Sequence, residues 1–467
     1  MPYLFPRKCR GRYRSDRSNG GNEVNPIFTQ VAADFSHDTW WMSVIKALFI
    51  VVFLIFSVIF ALWFERRLIA RFQNRVGPNT VGPFGLGQSF PDALKLLLKE
   101  DFWLAGAEKV VYLVAPVITA ICAFSAMAVI PMGPEVSIFG IHTPLQLTDS
   151  PVAMLFVLAV AALGEYGMVF GGWSAKSTLP LYGSVRSATQ MISYELAQGL
   201  SLVTIFLAAA TMSTSGIVQA QQDLWNVVTL LPAFLVFLVT MFGETNRLPF
   251  DLPEAEGEIV AGPHTEYSSM KFAWYYLGEY VNMFNVSMLA VTLFFGGWRS
   301  GPILTYLGGL IGFDPNVGWF PMLVFIVKVW IFIAIFIWVR ATLLRFRYDQ
   351  FMKLGWKGLI PSALIWLAIV LVIHGYKMVT PEFDDRWPTI ILSTGFAAIM
   401  LIWALVRDDE TVPQAQLIAE RESQEFDGFE DGYPVPPLPG QHLPPSPRAA
   451  RRIAQSASTT LEEAKND

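Results

Sequence analysis

The chain has 467 residues, 53% of them hydrophobic and only 15% charged, with a net charge of −5. A water-soluble domain carries roughly 25% charged residues, so this chain lacks the polar surface to cover a soluble fold. Apolar stretches long enough to cross a hydrocarbon layer of roughly 30 Å recur along it, and the short alternating segments of a membrane barrel do not; the expectation is an all-α, polytopic transmembrane protein. Cys9 and Cys122 lie far apart and the five histidines form no metal-spaced pair. Iron–sulfur clusters and structural zinc sites each typically take four ligands, so no metal or redox cofactor is expected on this chain alone.

Residues 1–40 form a polar leader, basic through Arg7, Lys8, Arg10, Arg12, Arg14 and Arg17, without the apolar core of a secretory signal. About nine spans follow, near 43–64, 107–131, 151–172, 185–212, 224–243, 273–297, 318–340, 359–378 and 389–406. After the first span, "ERRLIARFQNRVGPNTVGPFGLGQSFPDALKLLLKEDFW" begins with Arg66, Arg67, Arg71 and Arg75 at helical spacing. Glycines and prolines then break the chain, and "SFPDALKLLLKEDF" reads as a short amphipathic helix at the membrane interface. The glycines match neither the dinucleotide nor the phosphate-loop spacing. Taken alone, the arginines suit either lipid phosphates or a cytoplasmic partner.

Glu165 falls in the third span, Glu195 in the fourth, Glu244 at the end of the fifth and Glu279 in the sixth; Tyr166, Tyr194 and Tyr280 stand beside three of them. Lys328 lies near the middle of the seventh. Ionisable groups at membrane depth are costly and usually functional. Each carboxylate alone could be a satisfied structural group. Four towards one side of the membrane favour a hydrated path whose members exchange protons, because burial raises a carboxyl pKa towards neutrality. "GETNRLPFDLPEAEGEIV", Gly243 to Val260, leaves the fifth span and adds Asp251, Glu254, Glu256 and Glu258, with Leu248, Phe250 and Leu252 interleaved. Two internal prolines argue against a clean helix. The stretch reads as an acidic, partly buried funnel.

Loops 65–106, 173–184, 244–272 and 341–358 hold thirteen Lys and Arg residues, whereas the opposite loops hold only Arg299 and Arg386. Basic residues in short loops stay cytoplasmic and distant ones count for little, which puts the N-terminus outside despite its basic leader. From Asp408 the chain is acidic and then Pro-rich ("PVPPLPGQHLPPSP"), the composition of a disordered tail. The expected division is a leader over 1–40, a transmembrane domain over 41–407 with loops 65–106 and 244–272 as its functional parts, and a cytoplasmic tail over 408–467.

Four stretches carry a resemblance: "ERRLIARFQNRVGPNTVGPFGLGQSFPDALKLLLKED", "KVVYLVAPVI", "SVRSATQMISYELAQGL", and "GETNRLPFDLPEAEGEIVAG" with the "HTEYSSMKFA" that follows it. Through them, residues 42–405 resemble the H-subunit family of proton-pumping NADH:quinone oxidoreductase, respiratory complex I, whose mitochondrial counterpart is NADH dehydrogenase subunit 1. The resemblance implies a subunit of the bacterial inner membrane that joins a membrane arm to a peripheral arm. Implied partners are the peripheral quinone-site and iron–sulfur subunits, which carry the flavin and the clusters, and antiporter-like and small membrane subunits. Quinone, ubiquinone or menaquinone, would be the substrate. No complete catalytic site and no nucleic-acid binding are implied for this chain.

By the same resemblance, Arg66, Arg67, Arg75, Asp92, Arg247 and Phe250 would wall the quinone chamber. Glu165, Glu195 with Tyr194, Glu244, and Glu279 with Tyr280 would form an acidic path, coupled to quinone chemistry through Asp251, Glu254, Glu256 and Glu258. Pro263 departs from the family, which has an aromatic residue there, and the leader and tail exceed the usual family length. The alternatives are the equivalent subunit of a membrane-bound energy-converting hydrogenase and a free-standing transporter. The paired halves with matching interrupted helices that many transporters show are not evident here.

Overall fold

The computed structural model describes residues 33–406 apart from 37, 139, 255, 302–303, 307–313 and 381–385. The leader up to residue 32 and the tail from 407 lie outside the described residues. The chain divides into two units, residues 1–400 and 401–467, and of the second only the end of a helix, to Val406, is described.

The long apolar runs become helices because a backbone without water must satisfy its own amides. α1 (Trp40–Phe72) has 33 residues. At about 1.5 Å per residue it exceeds a hydrocarbon core of roughly 30 Å by several turns, so its basic C-terminal end continues as helix. A turn through Gly82 and Gly85, both with positive φ, leads to α2 (Ser89–Leu98), the expected amphipathic helix. A Cβ on Gly85 would lie 2.2 Å from the Pro78 carbonyl oxygen, so only glycine fits. α3 (Lys109–Ala126) and α4 (Ala153–Ser174) are joined through an antiparallel hairpin, β1 (Glu135–Ile138) with β2 (Ile141–Pro144). Then come α5 (Thr178–Ala209), α6 (Thr214–Ala220), α7 (Asn226–Thr229), α8 (Leu231–Glu244), α9 (Glu256–Ile259) and α10 (Ser269–Phe294). α11 (Phe320–Thr342) follows, and α12 (Tyr348–Leu354) runs through a wide turn at Gly355–Leu359 into α13 (Ile360–Val379); α14 is Arg386–Val406.

Among the described residues, 7 helices are long and apolar enough to cross a membrane. Two of the nine expected spans differ. The stretch 224–243 is broken at Leu230, and α8 has 14 residues with Pro232 in its first turn, a position proline tolerates because no amide is needed there. α10 is long enough, but it carries Lys271, Glu279, Asn282 and several tyrosines. Every residue from Met283 to Phe294 is buried, so the second half of this helix is surrounded by protein, while the first half, with Met270 and Trp274 exposed, is polar where its side chains meet the loop. The expected loop 173–184 shrinks to Ala175–Ser177, since α5 starts at Thr178.

α10 packs on α3 and α11, and α4 packs on α3 and α5. Asn285 donates to the Ala123 carbonyl at 2.6 Å, one of the interhelical hydrogen bonds that small polar residues supply in membranes. α3 and α4 approach closely at Gly167, where a Cβ would sit 2.1 Å from Thr119 Oγ1 and 2.8 Å from the Ala115 carbonyl. Gly167→Val is therefore expected to destabilise the chain by about 1–3 kcal/mol or more through overpacking. Gly199→Ala, where the added Cβ meets nothing within 4 Å, is expected to be neutral or stabilising. Thermal unfolding in mild detergent checks both, and equal midpoints would contradict this packing.

Candidate functional site

Glu65, near the basic end of α1, is 6% exposed. Arg340 at the end of α11 donates to its Oε1, and Arg247 Nη1 stands 3.8 Å from the same oxygen. The Tyr280 hydroxyl of α10 donates to Oε2 at 2.5 Å. The Arg247 guanidinium also lies over the Tyr280 ring, 4.1 Å from its centre, a favourable cation–π geometry. Beside this cluster is a cavity of about 350 Å³ lined by Glu65, Arg66, Ile69, Ala70, Arg75, Tyr276, Tyr280 and Arg340, among others.

The six residues expected to wall a chamber occupy different places. Arg66 and Arg75 line this cavity. Arg66 pairs with Asp92 of α2; both are substantially exposed, so the pair adds little stability but ties α2 to α1. Arg67 lies 5.5 Å from the Trp63 ring and 5.3 Å from the Phe84 ring, and donates to the Phe84 carbonyl at 2.6 Å. Arg247 is at Glu65. Phe250 is not at this cavity: it is buried against Tyr194, Phe346 and Phe351.

A second cavity, about 40 Å³, is lined by Glu165 from α4, Glu244 from α8 and Glu279 from α10, with Thr119, Asn246 and Asn282. A water needs about 10–15 Å³ of such space, so a few fit. A third, of about 10 Å³, is lined by Tyr194, Glu195, Gln198 and Glu244. Glu244 borders both. Gln198 donates to Glu244 at 2.7 Å and Ser187 to Glu165 at 3.3 Å. Gln190 anchors the loop that follows, its amide 2.7 Å from the Gly243 carbonyl and 3.0 Å from that of Phe250.

The loop from Thr245 to Ser268 connects the two regions. Asp251 is buried; burial pushes its carboxyl up, opposed by Arg345, whose Nη2 donates to Oδ2 at 2.8 Å. His264 is buried too, its Nε2 3.3 Å from Glu279 Oε1 and 3.8 Å from Glu254 Oε1. Burial, with the Glu279 charge adding to it, raises the Glu254 carboxyl to about 7. For His264, burial opposes protonation, but the hydrogen bond and charge of Glu279 and the charge of Glu254 carry its pKa above the ordinary value. Glu258 points elsewhere and pairs with Arg186 at 2.5 Å, partly exposed. Glu256 begins α9, and its side chain lies outside the described residues. Pro263 fits a single 3-10 turn, Gly262–His264, in which Gly262 takes a positive φ.

Sequence reasoning missed Glu65, Arg340, Gln198 and His264. Glu65 and Arg340 look like ordinary polar ends of spans, and their partnership across 275 positions has no local signal. The ten- and fifteen-residue steps from Glu254 to His264 to Glu279 follow no metal or helical spacing.

A sequence model of the family described as NADH dehydrogenase matches residues 45–371. A protein of Streptomyces avermitilis described as the H subunit of NADH-quinone oxidoreductase is 49% identical over 424 residues, which are 90% of this chain and 91% of that protein.

Removing Glu65 leaves the buried Arg247 guanidinium without its carboxylate, so Glu65→Ala is expected to cost about 3–5 kcal/mol. Tyr280→Phe removes one hydrogen bond from a carboxylate that keeps two guanidiniums, and is expected to cost about 1–3 kcal/mol. Denaturant titration in mixed micelles gives the order, and a Tyr280→Phe loss equal to that of Glu65→Ala would contradict the arrangement.

Proposed function

Because the chain belongs to the NADH dehydrogenase family and matches an H subunit over nine-tenths of its length, we propose that it is the membrane component through which quinone reaches its reduction site. We also propose that it passes the resulting charge change to buried carboxylates. One observation carries this reading: α10 places adjacent residues on two cavities. Tyr280 borders the large cavity beside Glu65, and Glu279 borders the carboxylate cavity.

Quinone enters beside α1 and α10, and its head group is reduced farther in, against residues of a peripheral-arm partner. Flavin and iron–sulfur clusters on other partner subunits deliver the electrons. Reduction to the quinol takes up two electrons and two protons and leaves the quinol neutral. The charge change falls on the groups that give up those protons, and it shifts the field felt by the Glu65–Arg247–Tyr280 cluster. Arg247 sits in the loop that runs from Glu244 to Asp251, and any shift of its guanidinium alters the field at both ends. The carboxylates at Glu165, Glu195, Glu244 and Glu279 then exchange protons through the two small cavities they line and transmit the disturbance to antiporter-like neighbours. In this reading the basic ends of the helices face the cytoplasm.

Two substitutions separate the halves of the proposal in purified complex reconstituted into vesicles. Ile69→Trp narrows the large cavity and is expected to raise the quinone KM several-fold at an unchanged proton-to-electron ratio. Glu195→Gln is expected to lower that ratio at an unchanged quinone KM. An assembled Glu195→Gln complex that pumps at the normal ratio would contradict the carboxylate path, and an unaltered KM in Ile69→Trp would remove the cavity from the quinone route.

A further inference from the structure

We propose that Glu254, His264 and Glu279 form a binding site for a zinc-class divalent cation, and that the bound cation locks the loop and inhibits coupling. The binding stands on geometry. The inhibition rests on the function proposed above.

His264 Nε2 and one oxygen each of Glu254 and Glu279 lie within 4.8 Å of one another. Zinc bonds to nitrogen and oxygen are about 2.0–2.2 Å, so tetrahedral ligands stand about 3.3 Å apart. The His264–Glu279 distance of 3.3 Å already has that spacing, and the His264–Glu254 distance of 3.8 Å needs only a small closure.

The ring is held in place. His264 ends a short 3-10 turn, and its ring packs edge-on against Tyr275 at 5.0 Å and Phe272 at 6.0 Å. Its Nδ1 is buried without a hydrogen-bond partner, while Nε2 faces the Glu279 carboxylate, so a cation bound at Nε2 takes the place of the proton shared there. Glu254 is 36% exposed and gives an ion a way in from the loop side. Glu279 is the inner ligand, on the wall of the carboxylate cavity.

Charge separates this cluster from its neighbours. Glu65, Asp251 and Glu258 each have an arginine partner. Among the described residues, Glu254 and Glu279 have only His264 as an ion-pair partner. The Arg247 charge acts on both carboxylates from beyond ion-pair distance. Two carboxylates sharing one imidazole still lack a directly bound positive charge when both are ionised, and a divalent cation supplies it. One imidazole with two carboxylates suits zinc, with the fourth position open to water. Calcium takes six to eight oxygens and magnesium a near-ideal octahedron, which three ligands do not provide. A cation bound here bridges the loop to α10 and takes the place of a proton that the path would otherwise exchange.

The test uses purified complex in chelator-buffered Zn²⁺, with zinc retained after desalting and quinone-linked proton pumping both measured. His264→Gln and Glu254→Gln are compared with the wild type after assembly is confirmed by flavin content. The expected result is one zinc fewer per complex in each variant and a half-inhibitory Zn²⁺ concentration at least tenfold higher. X-ray absorption at the zinc edge is expected to show one imidazole among oxygen ligands in the wild type, lost in His264→Gln. Equal zinc retention in all three proteins, or none in the wild type, would overturn the site. A zinc lost in both variants while wild-type pumping ignores zinc would support the site and contradict the role given to the loop.

Discussion

Three distant parts of the chain meet on one carboxylate. Glu65 of α1 receives Arg340 from α11, Tyr280 from α10 and Arg247 from the loop after α8. A buried ion pair adds little net stability, because desolvation offsets attraction, but losing one partner is severe. The cluster therefore acts as a constraint on geometry more than as a source of stability. It sets the place of α10 relative to α1 and α11, and it holds Arg247 near the start of the loop that goes on to Asp251 and Glu254.

That constraint explains why α10 is built as it is. A helix facing lipid is apolar, whereas one surrounded by protein is free to carry polar groups if each finds a partner. α10 supplies Tyr280 to the large cavity, Glu279 to the carboxylate cavity and Asn285 to the α3 backbone. The acidic loop follows the same logic. Its apolar members Phe250 and Leu252 are buried and seat the loop on the helix ends. Of its acids, Asp251 is buried, Glu254 half-buried, and Glu258 paired at the surface.

The fold was legible where membrane physics dictates the pattern. Runs of apolar residues matched to bilayer thickness located the helices, and the glycine–proline break after α1 marked the turn before α2. Boundaries failed where local chemistry decides them: Pro232 shortens α8 to 14 residues, and α5 starts at Thr178 because Pro180 falls in its first turn, where no backbone amide is needed. The four-residue strands of the hairpin were too short to register. The cost of burying charge singled out Glu165, Glu244 and Glu279, which the structure brings to one cavity. The same argument could not place Phe250, because a lone aromatic residue in a loop does not say which side chains it packs on. Nor could it find Glu65 with Arg340, or His264 with its two glutamates, since those groups are joined only by the folded chain.

The central claim is that the charge change accompanying quinone reduction is felt at Glu65 and reaches the carboxylate cavity through Arg247. The most direct measurement is the infrared difference spectrum of the complex on quinone reduction, in the carboxylic C=O region, for the wild type and Arg247→Met. Glu65 keeps Arg340 in that variant. The account predicts a protonation change in the wild type, assignable to Glu165 or Glu244 by its loss in the Gln variants, and absent or strongly reduced in Arg247→Met. The same carboxylic band in Arg247→Met as in the wild type would contradict it.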